Sequence, residues 1–423
     1  MTIKRQQLIL VIIAALGYFV DIYDLVLFNV VKKASLEALQ LTGEQNEITL
    51  FNWQMTGMLL GGILWGILGD KKGRLSVLFG SILLYSLANI ANAFIRPGDL
   101  TTYAVVRMIA GIGLAGELGA GITLVVETMS KESRGVGTMI IVSFGALGAV
   151  FAFFISQHGT ALAGFINTHL SIQLVDWQTA YIVGGLLGVA LLLLRIGTIE
   201  SEMFKGLEKQ TVSKGNFFSL FSNKEIFLKY LKCILIGLPI WYIVGVLISL
   251  SVGITKQLGI EGAVTGTAIM YSYIGLSVGD LISGLLSQLW KSRKKVVVTY
   301  LFILAVLVII YLFPFNKSLS FFYFMCFMLG AGTGFWALFV TIASEQFGTN
   351  IRSTVTNTVP NFVRGSVVLI TLLYKSLETI FPSEKGKIYS ALIVGAICLT
   401  LSLISVLSIQ ETFSKELNYV EEC

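Results

Sequence analysis

The sequence predicts an all-α integral membrane protein with twelve transmembrane helices in two six-helix bundles related by pseudo-two-fold symmetry. Three observations carry this expectation. Hydrophobic types make up 55% of the 423 residues and charged types only 13%, with a mean hydropathy of +0.82, whereas a soluble domain carries about 25% charged residues. Apolar runs approaching the roughly 20 residues that a helix needs to cross a bilayer recur a dozen times along the chain. They fall in two groups of six on either side of a polar stretch, which divides the chain into an N-terminal bundle (1–197), a cytoplasmic linker (198–227) and a C-terminal bundle (228–423).

Span 1 (8–31) follows Lys4 and Arg5, exceeds a signal peptide's apolar core and carries Asp21 and Asp24, so it reads as a retained helix. Span 2 (50–69) ends in the loop GDKKGR (69–74), which leads into the uncharged span 3 (75–95). Span 4 (100–127) holds Arg107, then Glu117 in a glycine-rich stretch, and ends on Glu127; Arg134 opens the way to span 5 (136–157), and span 6 (178–197) closes the first half. The second half runs through spans 7 (228–253), 8 (262–290, with Asp280), 9 (295–314), 10 (319–344), 11 (353–380, with Arg364) and 12 (387–409). Glu345 and Arg352 repeat the spacing of Glu127 and Arg134 at an offset of 218 residues, and the same offset puts GDKKGR on SQLWKS (287–292), which keeps a basic residue and loses the aspartate. A duplication of this kind is a transporter architecture, with its site between the halves near the bilayer midplane.

The net charge of +6 is not a nucleic-acid signal, because the basic residues sit in short loops between apolar runs. With both termini cytoplasmic, 20 of the 30 Lys and Arg fall inside and 8 outside, Arg107 and Arg364 being the 2 within helices, as the positive-inside rule requires. Cys233, Cys326, Cys398 and Cys423 show no paired spacing, so neither a disulfide framework nor a metal site is expected. GIGLAG (111–116) matches a dinucleotide pattern in letters, but it lies inside an apolar helix, where small residues serve close packing. His158 and His169, the two histidines, lie near one outer loop, and no enzyme chemistry or cofactor is implied. The expected partners are the bilayer, protons and a small organic anion, with the protein acting as a monomer.

These residues resemble the major facilitator superfamily. GDKKGR (69–74) is similar to the signature between its second and third helices, and RMIAGIGLAGELGAGITLVVETMSKESRG (107–135) resembles the fourth helix of its carboxylate and sialate proton symporters. DIYDL (21–25) resembles a first-helix motif of the aromatic acid proton symporters, with Ile22 in place of glycine, and Arg352 and Arg364, twelve apart, are similar to paired arginines of the organic anion branch. The proline motif of the drug antiporters is missing from span 5. The resemblance implies proton-coupled import of an organic anion or carboxylate by alternating access, in a bacterial plasma membrane. A proton-coupled exporter and a non-transporting membrane sensor are the alternatives.

An ionisable group inside a membrane is a functional candidate because its insertion is costly. The proton-coupling candidates are Asp21, Asp24, Glu117 and Asp280. Asp24 and Arg107 each lie seven residues from the outer end of their helix, roughly 10 Å deep at the α-helical rise, which pairs them and leaves Asp21 without a cation, as the proton carrier. Arg364 is the substrate-anion candidate, since its planar donors suit a carboxylate; a salt bridge to Asp280 or Glu117 is the competing role. Arg107, Asn357 and Asn361 are further substrate candidates, and of the aromatic residues that reach the cavity (Tyr18, Tyr23, Trp53, Trp241, Tyr242, Tyr271, Tyr273, Trp336) Tyr23 and Tyr242 are favoured. Asp70, Arg74, Glu127, Arg134, Glu345 and Arg352 are the gating set, because charge pairs at helix ends bias a two-state equilibrium when the halves rock.

Overall fold

The computed structural model describes residues 5–131, 133–170, 173–196, 214–381 and 385–421, so most of the expected linker, at 198–213, lies outside the described residues. The first half contains α1 (Arg5–Ala38), α2 (Glu44–Lys72), α3 (Arg74–Asn92), α4 (Leu100–Leu114), α5 (Glu117–Thr128), α6 (Arg134–Gln157), the short α7 (Gly159–Leu170) and α8 (Asp176–Leu194). The second contains α9 (Lys224–Tyr242), a π-helical turn (Ile243–Ile248), α10 (Ser251–Leu258), α11 (Thr265–Leu289), α12 (Arg293–Leu312), α13 (Leu319–Gly332), α14 (Trp336–Gln346), α15 (Arg352–Ile380) and α16 (Gly386–Ser408). Spans 4 and 10 are thus each broken in two, α4 with α5 and α13 with α14. The breaks contain Gly116 and Gly334, which are 218 residues apart, the offset of the sequence repeat.

Among the described residues, ten helical segments are long and apolar enough to cross a membrane, and α2 and α15, each of 29 residues, are not among them. The reason lies in where they pack. Methyl groups placed on Gly62, Gly66 and Gly69 of α2 would lie 3.1, 2.7 and 2.1 Å from atoms of Asn357, Thr354 and Ser353 on α15. The two helices therefore cover each other's polar faces along the seam between the halves, where a polar side chain finds a protein partner instead of lipid.

The glycines of 111–116 do what small residues in an apolar helix are expected to do. A methyl group on Gly111 would stand 2.3 Å from the Gln54 carbonyl oxygen of α2, and one on Gly113 would stand 2.6 Å from the Tyr85 backbone nitrogen of α3. Gly73 is the whole connection between α2 and α3, with φ 94° and ψ 158°, a conformation open in practice only to glycine. Gly111→Ala is expected to force α2 and α4 apart and to destabilise the fold by about 1–3 kcal/mol, the usual range for overpacking. Thermal unfolding in detergent would register this as a lowered midpoint; an unchanged midpoint would show that the contact gives way freely.

Candidate functional site

The first site is a small cavity at the seam. Tyr18, Ile22, Leu25 and Ala146 line it from the first half, and Ile240, Trp241, Val244, Tyr273, Leu276, Trp336 and Arg364 from the second. Tyr18, Ile22 and Leu25 recur at the spacing that keeps one stripe of α1 facing one way. Trp241, two residues beyond Pro239, and Val244 flank Ile243, where the π-helical turn starts, and such turns often mark functional sites. The cavity volume is about 20 Å³, room for about one water molecule. A ligand must therefore displace the side chains that close it.

Arg364 is buried, with Nη1 donating to Asn361 Oδ1 at 3.3 Å and Nη2 to Asp21 Oδ2 at 3.5 Å, and the ring of Trp336 lies 5.7 Å from Cζ. Nε has no hydrogen-bond partner, and neither has the second oxygen of Asp21. This corrects the expected pairing. Asp21 is the acid with a cation, supplied by the other half of the chain. Asp24 still lies within the electrostatic reach of Arg107, but the two make no hydrogen bond, and the Arg107 guanidinium sits against the rings of Phe28 and Tyr181, 5.0 and 5.6 Å from their centroids. Both stay inside the first half, away from the cavity lining.

The other candidates are distributed as follows. Glu117 is bound within its own half to Arg195, with Nη1 to Oε2 at 3.0 Å; Gly17 leaves the room, since a methyl group there would strike both side chains. Asp280 does not meet Arg364; its Oδ1 accepts from the Ala337 N–H at 2.9 Å. Tyr23 and Tyr242 turn away from the cavity and donate to the carbonyls of Ala180 and Ala391, at 2.8 and 2.7 Å. Asn361 Nδ2 donates across the seam to Ala115 O at 2.9 Å, at the break of span 4, while Asn357 Nδ2 binds Ser353 O within α15 at 2.8 Å.

The second site closes one end of the seam. Glu127 takes Arg74 in a two-point contact of 3.1 and 2.8 Å from its own half and Arg352 Nη1 at 2.9 Å from the other. Glu345 mirrors it, taking Arg293 at 2.7 and 2.8 Å from its own half and Arg134 Nε at 3.4 Å from the other. Asp70 accepts from the backbone N–H groups of Ser353 and Thr354 at 2.9 and 2.8 Å, placing a carboxylate on the N-terminus of α15, where the helix dipole favours it. The six gating residues of the sequence reading are thus brought together. Arg293 was missed by one position, because α11 and α12 are joined by three residues where α2 and α3 are joined by Gly73 alone.

A further component has no sequence signal. The chain after α16 runs across this end as a strap: Lys415 O accepts from Arg134 Nη2, Leu417 O accepts from Arg352 Nη2 at 2.7 Å, and Lys131 Nζ pairs with Glu416 at 2.6 Å. Glu411 anchors it to the start of α12. Burial alone would push the Glu411 carboxyl up, but donation from Ser292 Oγ and from the N–H groups of Phe413, Arg293 and Lys294 holds it below the ordinary glutamate value.

A family model described as Major Facilitator Superfamily matches residues 14–372. A candidate metabolite transport protein of Haemophilus influenzae is 29% identical over 287 residues, 65% of this chain and 66% of that protein, just short of two thirds of its length. A candidate niacin/nicotinamide transporter of Bacillus subtilis is 26% identical over 386 residues, 86% of this chain and 87% of that one. Among solved structures, the proton:xylose symporter XylE superposes with a TM-score of 0.68 at 16% identity, covering 97% of this chain and 98% of its own; at that identity it speaks for the fold.

Two outcomes test the closed end. Arg293→Ala should open it as far as Arg74→Ala does, read as an equal rise in alkylation of a Thr138→Cys variant; an effect confined to Arg74 would break the symmetry of the latch. Because the Glu411 carboxyl is lowered on folding, its contribution is complete above the unfolded value of 4.5 and is lost as pH falls through the lower folded value. Protease cleavage of the strap should accordingly accelerate on acidification into that window, and Glu411→Gln should remove that pH dependence.

Proposed function

This chain belongs to the Major Facilitator Superfamily, and we propose that it imports a small organic anion, an aromatic or heteroaromatic monocarboxylate, together with a proton by alternating access. The family and the relatives are membrane transporters and not enzymes, and the chain is a multi-pass membrane protein. In our reading it lies in a bacterial plasma membrane with both termini and the latched end on the cytoplasmic side.

The observation that carries the proposal is the Asp21–Arg364 pair, a single long contact of 3.5 Å between the two halves made by the arginine that lines the cavity. A buried guanidinium needs an anion, and a carboxylate matches its donors. Ionised Asp21 and a substrate carboxylate compete for the same group. A proton on Asp21 releases Arg364, the substrate takes its place, and the cavity widens as the two side chains part. Neither ligand alone leaves a balanced seam: substrate without the proton puts two anions on one guanidinium, and the proton without substrate strands the cation. With both bound or both gone the buried charges cancel, which is the condition for the halves to rock. Tyr18, Trp241, Tyr273 and Trp336 supply flat apolar faces around the cation, which favours a planar ring on the carboxylate. Nicotinate has that shape, and the Bacillus relative's description names niacin.

Proteoliposomes loaded for nicotinate uptake test this directly. Arg364→Lys keeps the charge and loses the planar fork, so affinity should fall about tenfold or more, the usual worth of a charged hydrogen bond. Asp21→Asn should still exchange substrate across the membrane but no longer accumulate it against a gradient when protons are driven inward. Uphill uptake by Asp21→Asn would remove Asp21 from the coupling step.

A further inference from the structure

Asp280 is an acid without a cation. Its side chain is buried, one oxygen accepts from the Ala337 N–H at 2.9 Å, and the other has no partner. Among the described residues, no Lys, Arg or His forms an ion pair with it. The backbone on which it stands is fixed from two sides: Tyr300 Oη donates to Gly279 O at 2.9 Å, and a methyl group on Gly334, in the break of span 10, would lie 2.3 Å from Gly279 and 2.5 Å from the Asp280 nitrogen.

The helix that Asp280 caps joins the two sites. α14 is 11 residues long, about 15 Å at the α-helical rise. Its first residue, Trp336, lines the cavity and stands over Arg364. One turn further on, Thr341 Oγ1 bonds Thr138 Oγ1 across the seam at 2.9 Å, and near the far end Glu345 holds Arg293 and Arg134. The first N–H groups of a helix have no partner within it, so in a dry interior the pocket end of α14 is held in place by what caps it.

We propose that Asp280 is a positioning residue: by capping α14 it makes Trp336 and Glu345 move as one body, so that a change in the cavity is felt at the latch. The part of this that concerns binding rests on the reading that the cavity around Arg364 takes the substrate. The cap needs an acceptor oxygen and not a negative charge, which separates this role from that of a proton carrier.

The test uses the full chain in liposomes, with its four cysteines replaced by serine and Thr138→Cys added, and nicotinate as the probe. Asp280→Ala should raise the alkylation rate at position 138 without any ligand, and should weaken nicotinate binding about tenfold, as leaving a buried N–H donor unpaired does. Asp280→Asn retains an acceptor and should restore both readouts to within about twofold of the parent, well under the tenfold loss of a missing bond. Trp336→Phe should weaken binding and leave alkylation at the parent rate. Unchanged alkylation in Asp280→Ala, or an Asp280→Asn variant as impaired as Asp280→Ala, would overturn the proposal. If nicotinate fails to bind the parent protein, it is the substrate reading that falls, and the alkylation rates of the two Asp280 variants still decide the role of the cap.

Discussion

Among the described residues, Glu127, Glu345 and Asp70 face four guanidiniums in the buried seam between the halves, and the proposed alternating access depends on that grouping. Arg74, Arg134, Arg293 and Arg352 face these three carboxylates. The strap completes the set with main-chain carbonyls at Lys415 and Leu417, which accept hydrogen bonds without adding charge. Breaking one buried pair costs about 3–5 kcal/mol if the partner is left dry. On the proposed alternating-access reading, the end of the seam would stay shut until the groups are released to water together, which would make the closure a two-state device and not a graded one.

The two broken spans show how such a closure can be tied to the middle of the membrane. α5 and α14 both begin at the break of a span and both end next to a glutamate of the closed end, Glu127 or Glu345. Their starts differ. α5 opens on Glu117, locked to Arg195 within the first half, whereas α14 opens on Trp336 at the cavity wall. The duplication gives two rods of corresponding position, and of their first residues Trp336 is the one that lines the cavity where the proposed ligand would sit.

Much of the fold was legible because it is written in long-range repetition. Apolar runs give the spans, and a glutamate followed seven residues later by an arginine, twice, gives the latch. What escaped is what a helix position alone does not carry. Depth along α1 put Asp24 level with Arg107, but the direction each side chain faces depends on neighbouring helices, and it turns Asp21 to Arg364 and Tyr23 to Ala180. Tyr242 was favoured over Trp241 for the same reason, with the π-helical turn altering the phase of the helix just beyond them. The strap bonds through backbone carbonyls, which every residue has, so no pattern of side chains announces it. The low apolarity of α2 and α15, in turn, follows from a contact between halves that lie far apart in sequence.

The charge count in the cavity also bears on what kind of anion fits. Among the described residues lining the cavity Arg364 carries the charge, and Asp21 is the acid paired with it, while Asp280 is engaged with α14 and Glu117 with Arg195. Protonating the acid leaves a single positive charge, which one carboxylate neutralises. A dicarboxylate would bring a second charge into an interior with no second cation on the wall, at a cost that low-dielectric surroundings make large. A sugar would need a ring of hydrogen-bonding groups, whereas Ile22, Leu25, Ile240, Val244 and Leu276 are apolar and the aromatic residues Tyr18, Trp241, Tyr273 and Trp336 carry one polar atom each. On the proposed reading the wall would select by subtraction as much as by attraction, and what it would leave is a compact monoanion with a flat apolar body.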